Sequence, residues 1–306
     1  MIIPIITGPT SSGKSGTAFN AALKTGIVEI ISADAFQVYT NLDIGTAKVS
    51  RQEQQQVKHH LIDIMQPDEC YSAGMFVQQA EKLIDDIIKR TKVPVITGGT
   101  GLYIKSLTDG IFNCPEIESS VREELQKKAE KDGLAVLYNK LVQVDNEYAS
   151  KISSNDPTRI IRALEIYYGL GISFTEAHKK YNRKPKYKYT CAVLWQDRKV
   201  LYEKINERTL HMWQNGWKQE VENLLKAGYS TECPAFRAIG YKLIADYIMN
   251  GGSADDVINQ IAKETRHFAK RQYTWFRNKE NVVMYNNISL LENNLIDLIN
   301  GKRSLL

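Results

Sequence analysis

An apolar run, Ile2-Ile3-Pro4-Ile5-Ile6, leads directly into Gly8-Pro9-Thr10-Ser11-Ser12-Gly13-Lys14-Ser15, and residues 15–24 that follow are compatible with a helix. The eight residues complete the pattern G-x-x-x-x-G-K-[S/T], and strand, glycine loop and helix come in the order a phosphate-binding P-loop needs. Backbone N–H groups and the helix N-terminus cradle phosphate oxygens in such a loop. The lysine adds a point charge, and the Ser15 hydroxyl is placed to coordinate Mg2+. The motif alone does not say whether the phosphates belong to ATP.

The next segments repeat the alternation of strand and helix. Residues 28–32 read as a second strand. Over 71–90, Phe76, Val77, Ala80, Leu83, Ile84, Ile87 and Ile88 fall at i, i+3, i+4 spacing, which predicts an amphipathic helix that Ser72 can cap. Residues 93–97 are a third buried strand ending in Gly98-Gly99-Thr100-Gly101. Such alternation implies a parallel sheet whose ligands gather at the carboxyl ends of the strands, where Gly8, Asp34 and Thr100 emerge. After about residue 113 the pattern turns helical, with helices expected over 119–131 and from the N-cap pair Asp156-Pro157. A strand returns at 189–194, followed by long helices over 198–227 and 254–277. The expected fold is α/β: a P-loop NTPase-like core of parallel sheet flanked by helices (1–113 and 189–280), an inserted, mainly helical domain (114–188), and a C-terminal tail (281–306) with a weak strand and a short helix.

Charge placement narrows the partner. The chain carries +5 overall, but residues 155–190 hold eight Lys/Arg against three Asp/Glu and residues 263–279 hold six against one. Each block is therefore +5 and the remainder is −5, a concentration of charge suited to a polyanion such as nucleic acid. In the first block Lys179, Lys180, Arg183, Lys184, Lys186 and Lys188 are interleaved with Tyr181, Tyr187 and Tyr189, and Arg159 and Arg162 stand at i, i+3. In the second, Lys263, Arg266 and Lys270 share a helix face, widened by Arg271 and Arg277. Four scattered cysteines without a Cys-x-x-Cys pair indicate neither a zinc site nor a disulfide framework, and fit a reducing cytoplasm. The apolar segments are too short to span a membrane, so no membrane partner is expected.

Asp34 follows the second strand by two residues, where a carboxylate can either hold Mg2+ through water or take a proton from a nucleophile. The third strand ends in Gly-Gly-Thr and lacks the acid of a Walker B strand, which weakens an ATPase reading. His59-His60-Leu61-Ile62-Asp63 reads as a turn into a buried strand rather than a metal cluster, and Trp195, Trp213, Trp217 and Trp275 as packing residues.

Together these segments resemble the tRNA dimethylallyltransferase family, also called tRNA isopentenyltransferases. The likeness spans nearly the whole chain. It rests on the P-loop, Ser32-Ala33-Asp34, Gln37-Val38-Tyr39, Asp43-Ile44-Gly45-Thr46-Ala47-Lys48, His60-Leu61-Ile62-Asp63, Gly98-Gly99-Thr100-Gly101-Leu102-Tyr103, Asn155-Asp156-Pro157-x-Arg159, Ala238-Ile239-Gly240-Tyr241-Lys242 and Lys270-Arg271-Gln272-x-Thr274-Trp275-Phe276-Arg277. The resemblance implies transfer of a dimethylallyl group from dimethylallyl diphosphate to N6 of the adenosine just 3′ of the anticodon (position 37), in tRNAs reading codons that begin with U. It implies a P-loop, Gly8 to Ser15, that holds the donor's diphosphate, Asp34 as general base, Thr10 beside the leaving oxygen, Arg237 helping to hold the diphosphate, and Mg2+ on Ser15. For the tRNA anticodon stem-loop it implies contacts from Asp34, Ala35, Phe36 and Gln37; from Thr100 and Arg122; from Thr158, Arg159, Ile160, Ile161 and Arg162; and from His267, Phe268, Ala269, Lys270, Arg271 and Gln272. A cytoplasmic monomer is expected. Ala35 departs from the serine of many members and removes a side-chain hydrogen bond to the tRNA.

Two other readings predict different behaviour. A P-loop kinase for a nucleoside or small metabolite uses Asp34 to activate a hydroxyl and consumes ATP, leaving the basic insert unexplained. A nucleic-acid-binding protein with a vestigial P-loop needs neither Asp34 nor Lys14.

Overall fold

The computed structural model describes residues 2–279 and 281–302. Met1, Glu280 and residues 303–306 lie outside the described residues, and with them the outermost positions of the expected core segments and tail. The chain forms two compact units, one of residues 1–108 with 186–306 and one of residues 109–185, beside sequence-based boundaries at 113 and 189.

The first unit opens with β1 (Ile2–Thr7), α1 (Lys14–Thr25), β2 (Val28–Ser32), α2 (Arg51–Gln56), β3 (His59–His60), α3 (Ala73–Lys89), β4 (Val93–Gly98) and α4 (Gly101–Thr108). The second unit holds β5 (Ile111–Phe112), α5 (Ser119–Asp132), α6 (Leu134–Val144), α7 (Asn146–Ala149), α8 (Pro157–Leu170), α9 (Phe174–Tyr181) and β6 (Asn182–Arg183). The first unit then resumes with β7 (Lys188–Leu194), α10 (Arg198–Gln214), α11 (Trp217–Lys226), a 3-10 turn (Pro234–Arg237), α12 (Tyr241–Asn250), α13 (Ala254–Arg277), β8 (Val282–Tyr285) and α14 (Ile288–Ile299).

The main sheet runs β3-β2-β4-β1-β7-β8, with every pairing parallel. Its central strands are apolar on both faces because helices cover both: Ile3, Ile5, Ile6, Ile30, Ile31, Val95 and Ile96 are fully buried. One cluster joins Ala18, Ala21 and Ala22 of α1 to Leu291 and Leu295 of α14 over Ile6, Ile30 and Val95. Elsewhere in the unit α3 buries Phe76, Val77, Ala80, Ile84 and Ile87, as its spacing predicts, and Ser72 Oγ accepts the Met75 N–H at 3.2 Å. Phe76 stacks on Tyr103 of α4, with centroids 4.4 Å apart. β1 lies between β4 and β7, so the P-loop opens where neighbouring crossovers diverge, the position at which open α/β sheets bind ligands.

Two elements differ from expectation. The helix anticipated over 198–227 is two helices, broken at Gly216, whose φ of 98° lies in the left-handed region that favours glycine. Residues 281–302 form the expected weak strand and short helix, but both are built into the first unit and not a separate tail: β8 is the sixth strand, and α14 buries Leu291 and Leu295 against α1, with Lys24 of α1 paired to Glu292 at 2.5 Å. A short strand carries few local signals, so its place in the sheet follows from β7 being otherwise an open edge.

In the second unit, Leu125, Leu137, Leu141, Ile160, Ile161 and Leu164 form a core of their own. Asp156 caps α8 by accepting the Arg159 N–H at 3.0 Å, with Pro157 in the first turn. Buried Asp145 accepts from Tyr148 N, Thr175 N and Thr175 Oγ1, pinning α7 to α9. No helix among the described residues is long and apolar enough to cross a membrane.

Phe76→Ala removes a fully buried ring from the α3–α4 contact and is expected to cost about 3–5 kcal/mol. Urea unfolding checks this. A loss below about 1 kcal/mol would mean that α4 does not depend on the stack.

Candidate active site

The P-loop is shaped by backbone positions that most side chains cannot occupy. Gly8 has φ +150°, and a Cβ there would lie 2.6 Å from the Leu194 carbonyl oxygen at the end of β7. Gly13, at φ +97°, starts α1, and Ile288 of α14 stands behind it, 3.1 Å from where a Cβ would be. Ser11 is also left-handed, at φ 62°. The loop thus turns back on itself, with Ser12 N–H donating to the Pro9 carbonyl at 3.3 Å. Lys14 Nζ donates to the same carbonyl at 3.2 Å. Burial pulls the Lys14 pKa down to about 8; the nearby Asp34 carboxylate opposes that shift and Arg208 adds to it.

The second wall comes from β2 and β4. A Cβ on Gly98 would lie 2.1 Å from the Ala33 carbonyl oxygen, so the two strand ends meet at a distance only glycine allows. Asp34 Oδ1 accepts the N–H groups of Phe36 (2.9 Å) and Gln37 (3.3 Å), forming a turn that fixes the carboxylate. Ala35 N–H donates to Thr100 Oγ1 at 3.0 Å. The backbone at Ala35 is therefore held from across the sheet, without a side-chain hydroxyl of its own.

Two cavities meet here. One, of about 450 Å3, is largely aromatic and apolar, with Phe36, Leu102, Met212, Trp217, Phe268 and Trp275 in its wall and Arg237 beside them. The other, of about 870 Å3, contains Gly13, Lys14, Ser15, His59, Lys204 and His211. Thr10, Ser11, Asp34, Gly99, Arg208 and Gln272 line both. A carboxylate, a hydroxyl and a guanidinium are thus concentrated at the junction between a phosphate loop and an apolar chamber.

A model described as IPP transferase matches residues 37–279. A tRNA dimethylallyltransferase of Thermoanaerobacter sp. (strain X514) is 42% identical over 310 residues, covering 98% of this chain and 98% of the relative. The chain belongs to the IPP transferase family. A relative from Syntrophotalea carbinolica, named tRNA dimethylallyltransferase 1, is 38% identical, covering 92% of this chain and 90% of its own. The crystal structure of a Staphylococcus epidermidis tRNA isopentenylpyrophosphate transferase is 34% identical with a TM-score of 0.69, covering 99% of this chain and 100% of that one. The fold is shared further, with a eukaryotic dimethylallyltransferase acting on tRNA, at 24% identity and a TM-score of 0.81 over 99% of this chain and 81% of that one.

In this IPP transferase the P-loop residues, Asp34, Thr100 and Arg237 all line the described cavities or their loops, and a second arginine stands closer to the P-loop. Arg237 reaches only the apolar chamber. Arg208 of α10 lines both, its Nη1 3.4 Å from Thr10 Oγ1 and 3.5 Å from Ser11 Oγ, and burial lowers its pKa while Asp34 opposes the shift. Composition did not reveal it, because α10 is rich in scattered charge. Its spacing did carry a signal: Arg208 falls on the buried stripe of Leu201, Ile205 and Thr209, where a charge needs a reason. Trp217 and Trp275, read as packing residues, also wall the chamber. The ring of Trp217 leaves no room for a Cβ on Gly45, and that of Trp275 crowds one on Gly101.

The expected tRNA contacts divide by helix face. On α13, His267, Lys270 and Arg271 are exposed, Phe268 is half-buried in the cavity wall, and Ala269 and Gln272 are buried. On α8, Thr158 and Arg159 are exposed, Ile160 and Ile161 belong to the second unit's core, and Arg162 pairs with Glu165 at 3.0 Å. Arg122 is exposed on α5. Ala269, Ile160 and Ile161 are buried in the cores of their units, whereas Gln272, buried as a residue, lines both cavities: a helix turns neighbouring residues toward different surroundings. Gln37 is an internal bracket, its amide donating to the carbonyls of Thr46 and Ala47 and accepting from Ser32 Oγ. In the first basic block Lys186 is paired with Asp85 at 2.5 Å, and Tyr187 donates to the same carboxylate, so that lysine is partly neutralised. His60 Nε2 lies 2.6 Å from Glu29, which also pairs with Arg90, and no cluster of three metal-ligating side chains occurs among the described residues.

Lys14 loses its charge as pH rises through about 8. Affinity for an alkyl diphosphate is accordingly expected to weaken by up to about tenfold between pH 7 and 9. Lys14→Met should bind weakly throughout with a flat profile. Calorimetric titration across that range checks the sign, and affinity that rises with pH would contradict it.

Proposed function

We propose that this IPP transferase moves a dimethylallyl group from dimethylallyl diphosphate to N6 of the adenosine 3′-adjacent to the anticodon, position 37, in tRNAs that read codons beginning with U. One observation carries the reading: Asp34 and Thr10 stand where the phosphate-loop cavity and the aromatic chamber join. A nucleoside kinase could also use an acceptor chamber, but the names of the relatives favour prenyl transfer over phosphoryl transfer.

In this reading the loop Gly8 to Ser15 holds the diphosphate, chiefly through the backbone N–H groups of Gly13, Lys14 and Ser15 at the start of α1, with Lys14 and Arg208 supplying charge and Arg237 approaching from the chamber side. The target adenine leaves the anticodon-loop stack and enters the aromatic chamber, whose rings replace the stacking it gives up. N6 attacks C1 of the donor, the C1–O bond breaks, and its electron pair leaves on the diphosphate beside Thr10 and Arg208. The N6 proton passes to Asp34 and then to water. Charge that grows on the departing oxygens meets donors already in place, the arrangement that stabilises a transition state most.

Ser15, exposed at the first turn of α1 and lining the cavity with Lys14, offers one hydroxyl. That donor set fits Mg2+ completed by diphosphate oxygens and water, which is how this ion usually binds. Bound there it would neutralise negative charge on the diphosphate. For the anticodon stem-loop, the reading uses the exposed His267, Lys270 and Arg271 of the first unit, and Arg122, Thr158 and Arg159 of the second.

Incubation with Mg2+, dimethylallyl diphosphate and an anticodon stem-loop bearing adenosine at position 37 should yield prenylated adenosine by nucleoside mass spectrometry; ATP turnover without it would overturn the reading. Asp34→Asn should slow transfer by about 10²–10⁴-fold and leave RNA affinity within about threefold. Lys270→Ala and Arg271→Ala should each lower the salt slope of RNA binding by about one.

A further inference from the structure

Gln272 belongs to the α13 stretch expected to touch RNA, yet its side-chain amide is engaged by the protein itself, at the junction of the two cavities. It is buried, its Oε1 accepts the Thr10 N–H at 2.9 Å, and its Nε2 donates to the Gly99 carbonyl at 2.9 Å. These partners lie on different loops. Thr10 belongs to the P-loop; Gly99 precedes Thr100, whose hydroxyl holds Ala35, the neighbour of Asp34. One amide therefore closes a chain of hydrogen bonds from Thr10 through Gln272, Gly99–Thr100 and Ala35 to Asp34. The fit is close, since a Cβ on Gly99 would lie 2.6 Å from Gln272 Nε2.

We propose that Gln272 is a positioning residue that sets the separation between the base at Asp34 and the leaving-group side at Thr10, and that it makes no energetically important contact with tRNA. The proposal rests on the prenyl-transfer reading above. Both hydrogen-bonding groups of the amide are used, the bond to the Gly99 carbonyl buried and that from the Thr10 N–H partly so, and an isosteric side chain without the amide keeps neither. Proton transfer and displacement occur in one encounter complex, so reacting groups about 1 Å out of place lower the rate by about 10²-fold. RNA binding on the exposed face of α13 does not require that alignment. A tRNA contact would show the opposite pattern.

The test compares Gln272→Met, which keeps the volume and loses both hydrogen bonds, with Gly99→Ala, which displaces the amide while leaving it in the chain. Single-turnover rate constants are measured with saturating stem-loop and dimethylallyl diphosphate, beside dissociation constants for the stem-loop. A rate constant, unlike an amplitude, does not change when part of the sample is misfolded. Each variant should slow the step by about 10- to 100-fold with stem-loop affinity within about threefold. The double variant should be no slower than the slower single, because both break one tether. An unchanged rate constant with weakened stem-loop binding would overturn the proposal and make Gln272 an RNA contact. Multiplicative losses in the double variant would overturn the shared tether. Should Gln272→Met fail to fold, Gly99→Ala still decides between these outcomes. Wild-type protein run alongside separates the two readings: no prenylated adenosine there defeats prenyl transfer itself, whereas normal wild-type turnover with unaffected variants defeats only the role of Gln272.

Discussion

At the carboxyl edge of the sheet, backbone meets backbone with no space for side chains. Gly98 lies against the Ala33 carbonyl and Gly8 against the Leu194 carbonyl, at separations where an added Cβ would be 2.1 and 2.6 Å from oxygen. Everything at the site follows from those two contacts. They draw the ends of β1, β2, β4 and β7 together, so that Thr10, Asp34 and Thr100, distant in sequence, face one junction. Replacing either glycine would force apart strands that are themselves fully buried, and a rigid interior does not absorb such a displacement locally.

The same closeness explains the electrostatics. Lys14, Arg208 and Asp34 form a group of two cations and one anion in a partly enclosed space, and burial weakens the hold of both cations on their protons. A bound anion would restore the balance that the carboxylate alone supplies only in part. The site is thus held with excess positive charge beside an anion-binding loop, at a cost in desolvation that a ligand offsets.

What could be read from the sequence was whatever depends on near neighbours. The P-loop, the Ser72 cap of α3, the Asp156-Pro157 start of α8 and the β2 strand before Asp34 are local patterns, and the structure reproduces them. The two basic blocks were equally visible, but their division into exposed and buried faces was not, because a run of residues such as 267–272 reveals its facing only when α13 is packed. Arg208 escaped notice since its partners, Thr10 and Ser11, lie almost two hundred positions earlier. Gly216 ended α10 where propensity alone allowed one long helix. The bonds of Gln272 to Thr10 and Gly99 were not legible for the same reason, since those partners lie on loops far earlier in the chain.

Ile288 stands directly behind Gly13, and α14 lies along α1. The loop nearest the N-terminus is therefore backed by a helix some 275 positions later in synthesis. During translation the phosphate loop can form its local turn early, but it lacks its hydrophobic backing until β8 and α14 have left the ribosome and docked. A nascent chain halted before that point would display an incompletely supported P-loop.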